Sequence, residues 1–194
     1  MRRGGTWVQR WRVPLGFLVA ALFILLARPR PLTLGVGGAV AVCGLLVRAW
    51  ASGHIRKNDA LAVSGPYAYT RNPLYFGTFI LGLGFTIAAA GSWLLFFVLG
   101  GIFAALFLGI YLPVMRVEAS TLAGLFGDDY RRYASAVPLL FPRLTPYRVV
   151  ANDAGDERAP KFDVNLYLRY REYRAALGLL LGWSVLALKA FLVG

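Results

Sequence analysis

PLYFGTFILGLGFTIAAAGSWLLFFVLGGIFAALFLGIYLPVM, residues 73–115, contains no charged side chain over 43 positions. About 20 apolar residues cross a bilayer as an α-helix, so this run is long enough for two crossings. The small residues AAGS at 89–92 lie near its middle, and Trp93 follows them. We therefore predict a helical hairpin that starts at Pro73, turns at residues 89–92 and places Trp93 at the membrane surface.

The composition of the whole chain agrees with a membrane protein. Hydrophobic side chains make up 58% of the 194 residues, charged ones only 15%, and the mean hydropathy is +0.60. A soluble domain has no use for this much apolar surface, whereas a bilayer solvates it and favours helices, whose backbone polar groups are satisfied internally. We predict an all-α, polytopic integral membrane protein with a single domain over residues 1–194.

Three further apolar stretches bring the predicted number of membrane-spanning helices to five. They cover Val13–Ala27, Leu32–Ala51 and Ala175–Gly194. The first is short and follows a basic start, which is also typical of a secretory signal, but no clear small-x-small cleavage site follows it. We therefore expect it to remain as a span.

The net charge of +12 is distributed unevenly between the two predicted sides of the membrane. With the N-terminus inside, 18 of the 21 Lys and Arg lie in or beside cytoplasmic segments, and Arg28 and Arg30 lie outside. Because positive charge accumulates in cytoplasmic loops, we predict a cytoplasmic N-terminus. Contact with anionic lipids explains this charge without a nucleic-acid partner. The residue usage suggests a bacterium, so we expect the bacterial inner membrane.

Several common types of active site are not supported. The Gly-x-Gly sequences at 35–37 and 82–84 do not complete GxGxxG and lie within predicted spans, which argues against a Rossmann domain. The chain has one histidine, His54, and one cysteine, Cys43. An internal disulfide is therefore excluded, and we expect no bound metal.

The polar residues concentrate in two blocks, 54–77 and 116–147, on either side of the hairpin. A hairpin returns the chain to the side of the membrane from which it came, so both blocks are expected at the cytoplasmic face. GPYAYTRNPLYFG occupies residues 65–77 of the first block. The second contains RVEASTLAGLFGDDYRRY at 116–133 and VPLLFPRLTPY at 137–147.

In this order and spacing, these motifs resemble the isoprenylcysteine carboxyl methyltransferase and phospholipid methyltransferase group of membrane enzymes. The resemblance covers residues 55–147. It implies a pocket for S-adenosylmethionine at the cytoplasmic membrane face and methyl transfer to a lipophilic acceptor, either isoprenylcysteine carboxylate-like or phospholipid-like. Besides this substrate, membrane lipids would be the partners of the protein.

The resemblance also implies roles for individual residues. Glu118 would lie against the cofactor or the acceptor, while Arg71 and Arg116 would be the basic residues of the catalytic site. The cofactor-binding residues would be Leu61, Ala62, Tyr67, Asn72, Pro73, Leu74, Tyr75 and Glu118. A carboxylate suits a sulfonium ligand, because the positive charge stabilises its ionised form. The structural alternative is an ion pair between Glu118 and a loop arginine.

Three positions depart from the family pattern. Asn72 stands where a histidine is usual, so this position cannot titrate, and Ala119 replaces a frequent second glutamate. Val114 occupies the place of an arginine that would hold the acceptor carboxylate in prenylcysteine enzymes, and Arg116 lies on another face. The absence of an arginine at position 114 weakens prenylcysteine as the acceptor.

Two other functions remain open. One is a membrane reductase that uses a nicotinamide nucleotide, because sterol-reductase-like proteins share a related C-terminal pattern. The other is a non-catalytic membrane scaffold or transport element, which would leave the Gly, Pro and Tyr residues before the hairpin unexplained. Affinity for S-adenosylmethionine distinguishes the methyltransferase from these two, and the non-catalytic protein would bind no nucleotide at all.

The C-terminal part contains a predicted loop and a predicted interfacial helix. NDAGDERAPK, residues 152–161, is typical of a flexible loop. Asp163 is a candidate N-cap for a helix that leads into the last span. The apolar face of that helix would contain Leu166, Tyr170, Tyr173 and Leu177.

Overall fold

A computed structural model describes residues 18, 21–55, 60–148 and 162–193 of the chain. Every regular element in these ranges is a helix, which confirms the all-α fold. The elements are α1 at residues 21–26, α2 at Pro31–Ser52, a 3-10 turn at Gly65–Ala68, α3 at Pro73–Ala89, α4 at Trp93–Ala136, α5 at Val164–Arg169 and α6 at Tyr173–Val193.

Three of these helices are long and apolar enough to cross a membrane, which indicates an integral membrane protein. They are α2, α4 and residues Tyr173–Leu192 of α6. At 17 residues, α3 is a shorter apolar helix. Residues 13–17, 19 and 20 of the predicted first span lie outside the described residues. A total of five crossings, and the orientation of the chain, therefore stay predictions.

The predicted hairpin is confirmed as two helices joined by a turn, and its second helix continues beyond the uncharged run. The first helix starts at Pro73 and ends at Ala89, and the next begins at Trp93, which is 79% exposed. The uncharged run ends at Met115, whereas α4 extends to Ala136. The residues after 115 are mostly compatible with a helix, so the change from apolar to polar marks the end of the apolar segment, not of the helix. A backbone kink at Gly127, with φ 53° and ψ −124°, interrupts it.

The described chain divides into two compact units. The first contains residues within 1–41, 82–114 and 179–194. A Cβ added to Gly37 would lie 2.5 Å from the carbonyl oxygen of Gly84, so α2 and α3 approach closely here. Lys189 Nζ donates to the carbonyl oxygens of Ile24 and Leu25 at 2.6 and 2.9 Å. The buried core residues are Ala27, Ala88, Ala89, Leu99 and Leu186.

The second compact unit contains residues within 42–81 and 115–178, and therefore both polar blocks. Its helices also pack through glycine, since a Cβ added to Gly44 would lie 2.5 Å from the backbone nitrogen of Leu81. Tyr130, Tyr133 and Val137 form a buried cluster.

The chain before α6 has the predicted cap but not one continuous helix. Asp163 Oδ1 accepts a hydrogen bond from Asn165 N at 2.8 Å, which confirms the N-cap. The helix then ends at Arg169, and Arg171 has a φ of 56°, a left-handed conformation that residues other than glycine rarely adopt. The helix predicted to lead into the last span is therefore interrupted between Arg169 and α6. The predicted flexible loop at 152–161 lies outside the described residues.

Candidate functional site

The chain before α3 is shaped by a glycine in the left-handed region. Gly65 has a φ of 58°, and a Cβ at this position would lie 2.5 Å from Cδ2 of His54. No other residue fits this turn without strain. The turn starts the short 3-10 segment that carries Tyr67.

Residues 68–72 and 138–147, which we call the paired segments, bind each other through backbone and side-chain hydrogen bonds. The backbone bonds run from Arg71 N to Pro138 O at 2.9 Å, from Arg143 N to Tyr69 O at 2.9 Å and from Tyr147 N to Ala68 O at 2.8 Å. The side-chain bonds run from Thr70 Oγ1 to Leu140 O at 2.8 Å and from Asn72 Nδ2 to Leu139 O at 2.9 Å. These bonds join the two polar blocks into one layer, which agrees with the expectation that both blocks lie at the same face.

A cavity of about 170 Å³ lies in the second compact unit beside this layer. Its apolar lining comes from both polar blocks and from Met115 at their edge. The polar lining includes a carboxylate, a guanidinium, an amide and phenol groups. The lining residues are Ile55, Ala60, Leu61, Ala62, Tyr67, Arg71, Asn72, Met115, Glu118, Ala119, Thr121, Leu122, Tyr130 and Tyr133.

Two side chains of opposite charge line this cavity without an ionic partner in the described ranges. Glu118 Oε2 accepts a hydrogen bond from the Tyr75 hydroxyl at 3.3 Å. Arg71 Nη1 donates to the Tyr130 hydroxyl at 3.4 Å, which is long for a hydrogen bond. Both charged groups are only partly exposed. The ion pair that we considered for Glu118 is thus not formed with any described arginine.

Two buried polar atoms at the cavity lack a hydrogen-bond partner among the described residues. They are the Tyr67 hydroxyl and Arg71 Nε. Burial, together with the negative charge of Glu118, raises the pKa of Tyr67 well above its ordinary range, so its hydroxyl keeps its proton. Buried polar groups are normally paired in folded proteins. The hydrogen-bonding capacity of these two atoms is therefore unused within the part of the chain that the structure describes.

The cavity brings together six of the residues expected from the resemblance, in the cofactor and catalytic sets combined. Those that line it are Leu61, Ala62, Tyr67, Arg71, Asn72 and Glu118. The other expected residues lie beside it or apart from it. Pro73 is fully buried, the Leu74 carbonyl accepts from Arg48, and Tyr75 reaches Glu118 through its hydroxyl. Arg116 is exposed and is not among the lining residues.

Other lining residues were not expected from the motifs. Met115 ends the apolar run of α4, and Thr121 and Leu122 lie within the two helical turns that follow it. Met115, Glu118 and Leu122 follow the i, i+3, i+7 spacing of one helix face. That periodicity was the available signal, because a helix that presents Glu118 to a cavity presents its neighbours on the same face.

Arg48 is a second feature that the motifs did not indicate. Its Nη2 forms an ion pair with Glu172 Oε2 at 2.6 Å, and the two side chains are 21% and 14% exposed. Its Nη1 also bonds to the Thr78 hydroxyl and to the Leu74 carbonyl of α3. The first turn of α3 is therefore fixed to α2 and to the turn before α6.

The chemistry of this cavity is that of a receptor for a ligand with both charges. Glu118 suits a cationic group, Arg71 suits a carboxylate or phosphate, and the Tyr67 hydroxyl offers a hydrogen bond. Among the described residues, no group of three or more His, Cys, Asp or Glu is arranged to hold a metal ion.

Comparisons with known proteins point to one family. Residues 36–129 match the family model described as phospholipid methyltransferase. The chain is 38% identical over 150 residues to the cobalt-zinc-cadmium resistance protein CzcN of Cupriavidus metallidurans, covering 71% of this chain and 64% of that protein. It is 34% identical over 122 residues to the nickel-cobalt-cadmium resistance protein NccN of Alcaligenes xylosoxydans, covering 60% and 52%.

A eukaryotic relative carries an enzyme name. The chain is 34% identical over 86 residues to the protein-S-isoprenylcysteine O-methyltransferase of Schizosaccharomyces pombe, covering 44% of this chain and 34% of that protein. The chain thus spans less than two thirds of the length of each of these three relatives. No solved structure matches the chain.

Proposed function

We propose that this chain, whose residues 36–129 belong to the phospholipid methyltransferase family, transfers a methyl group from S-adenosylmethionine to a lipophilic acceptor at the membrane surface. The observation that carries the proposal is the presence of both Glu118 and Arg71 in one cavity. Neither side chain has an ionic partner among the described residues. A purely structural cavity would gain nothing from two uncompensated charges, because partial burial of each one is costly.

The donor groups at the cavity fit this cofactor. S-adenosylmethionine combines a sulfonium, an ammonium and a carboxylate with apolar and aromatic surfaces. Glu118 matches the cationic groups, and Arg71 with its unpaired Nε matches the carboxylate. The Tyr67 hydroxyl is a further donor. Leu61, Ala62 and Leu122 supply apolar contacts.

The residues of the chain bind and orient more than they transfer protons. When bound, S-adenosylmethionine supplies the electrophilic methyl group, and such a displacement depends mainly on alignment. Asn72 cannot titrate, and its amide holds the carbonyl of Leu139, so it fixes the wall of the cavity. In this proposal Glu118 accepts the proton if the acceptor is an amine. A carboxylate acceptor is already ionised and needs no base.

The lipophilic acceptor follows from the family and from the apolar helices. The family name refers to phospholipids, and the S. pombe relative is named for isoprenylcysteine. Both acceptor classes are dissolved in or anchored to a membrane. Arg116 is exposed two residues before Glu118, so we restrict its proposed role to an anionic acceptor group that approaches from outside the cavity.

Binding of labelled S-adenosylmethionine to the purified protein in lipid nanodiscs tests the proposal. Glu118→Gln removes the charge with little change in shape and should weaken binding about tenfold, as expected for loss of a charge-assisted contact. Asp128→Asn is the matched control on the same helix, because Asp128 is exposed and its only ionic partner among the described residues is Arg131. Its affinity should not change.

Three results would contradict the proposal in different ways. Equal affinity in both variants would remove Glu118 from the site. Binding of a nicotinamide nucleotide in place of S-adenosylmethionine would favour the reductase. Binding of neither would favour a scaffold or transport element.

A further inference from the structure

The paired segments have an outer side that the cavity does not use. Residues 138–147 form an irregular loop in which Phe141 is 58% exposed and Leu144 is 98% exposed. A single exposed leucine is common on protein surfaces. Whether Phe141 and Leu144 form a contact surface depends on how firmly the loop is held and on which residues surround it.

The loop is fixed, so Leu144 cannot fold back into the protein. Backbone bonds from Arg143 to Tyr69 and from Tyr147 to Ala68 hold it on both sides of Leu144. The Arg143 guanidinium also forms hydrogen bonds within the protein. It donates to the Ala136 carbonyl at 2.9 Å and to the Thr145 hydroxyl at 3.2 Å.

Aromatic rings typical of a membrane surface lie on the same part of the unit. Trp50, 42% exposed near the end of α2, lies with its ring 6.4 Å from the ring of Tyr69. Trp and Tyr rings are enriched where a span meets the headgroups. Tyr69 accepts the backbone bond of Arg143, the residue directly before Leu144.

The second exposed side chain of the loop continues the surface of an apolar helix. The Phe141 ring packs at 6.4 Å from Phe76 and at 5.8 Å from Phe79, both on α3. Phe141 therefore extends the aromatic face of α3 onto the loop. Because α2 is long and apolar enough to span a membrane and α3 is also apolar, we expect lipid next to this surface.

We infer that the loop edge formed by Phe141 and Leu144 inserts into the boundary between lipid headgroups and acyl chains. Burial of apolar surface drives the insertion, since the nearest arginine uses its donors within the protein. The loop is bonded to Arg71 and Asn72, which line the cavity, so the cavity would lie near headgroup depth. This inference does not depend on the proposed methyl transfer.

Spin labels at single cysteines measure this depth directly. Cys43 is the only cysteine, so Cys43→Ser gives a cysteine-free background. Leu144→Cys is labelled in this background, beside two matched leucine references. Leu46→Cys, 63% exposed on α2, reports hydrocarbon, and Leu125→Cys, 55% exposed on the polar part of α4, reports water.

Collision with oxygen, which concentrates in lipid, is compared with collision with a polar nickel chelate. The label at residue 144 should lie between those at 46 and 125 in its preference for oxygen, and should favour oxygen at least severalfold over the label at 125. The ratio should be the same in neutral and anionic vesicles and at low and high salt.

Three outcomes would overturn the inference. A label at 144 as open to the nickel chelate as the one at 125 would place the loop in water. Protection that appears only in anionic vesicles would make the contact electrostatic. Protection from both reagents would mean that protein, such as a second copy of the chain, covers the loop.

Discussion

Two tyrosines that line the same cavity differ in the state of their hydroxyl groups. The Tyr133 hydroxyl donates to the carbonyl of Tyr67 at 2.7 Å, whereas the Tyr67 hydroxyl is buried without a partner among the described residues. Removing the first breaks a native bond. Removing the Tyr67 hydroxyl breaks no such bond in the free protein. The effect on stability and the effect on ligand binding can therefore be measured at two different hydroxyl groups.

We therefore expect opposite results from Tyr133→Phe and Tyr67→Phe. Tyr133→Phe should lower the free energy of unfolding by about 1 kcal/mol, the usual loss for one hydrogen bond. Tyr67→Phe should leave it unchanged or raise it, and should weaken S-adenosylmethionine binding about fivefold. Unfolding in detergent and equilibrium binding measure the two quantities. Unaltered affinity in Tyr67→Phe would show that the hydroxyl does not contact the cofactor.

At the scale of helices, the close approach of α2 to α3 depends on glycine at particular positions. A Cβ at Gly44 would lie 2.5 Å from Leu81 N and 2.6 Å from the Gly77 carbonyl, both backbone atoms that cannot move alone. A Cβ at Gly35 in the same helix would meet nothing within 4 Å. The two glycines are thus a matched pair for substitution.

Gly44→Ala should destabilise the protein by about 1–3 kcal/mol, the usual cost of overpacking. Gly35→Ala should be neutral or slightly stabilising, because alanine has the higher helix propensity. Thermal unfolding in detergent compares the two variants. Equal melting temperatures would mean that α2 and α3 have room to separate.

Elements were predictable where the decisive signal is local. The hairpin follows from an uncharged run with small residues at 89–92, and the cap at Asp163 follows from residue type. The end of α4 did not follow, since polarity changes at Met115 while the backbone stays helical to Ala136. The break at Arg171 was also missed, because no glycine marks its left-handed conformation.

Within the site, the sequence motifs indicated the residues that line the cavity better than the residues that hold its surroundings in place. The contact between Tyr75 and Glu118 joins two motifs that the resemblance had already paired. The ion pair of Arg48 and Glu172 joins residues 124 positions apart, and neither belongs to a motif. Only the folded chain shows that pairing, because nothing local in the sequence requires it.

At the scale of the whole molecule, that ion pair connects an early helix to the turn before the last one. Arg48→Met and Glu172→Gln should each lower the free energy of unfolding by about 2 kcal/mol, since each leaves a poorly exposed charge unpaired. The double variant should be less unstable than the sum. The exposed pair Asp128 and Arg131, at 75% and 74%, is the control and should contribute almost nothing. Simple additivity of the Arg48 and Glu172 effects would contradict a direct interaction.

The mutual bonding of residues 68–72 and 138–147 limits how this protein can be recombined with its relatives. Each segment supplies acceptors for amide groups of the other, so neither segment can be exchanged by itself. A chimera that exchanges one of them for a stretch of different length leaves polar groups without acceptors next to the cavity. Evolution and engineering must therefore move the two together.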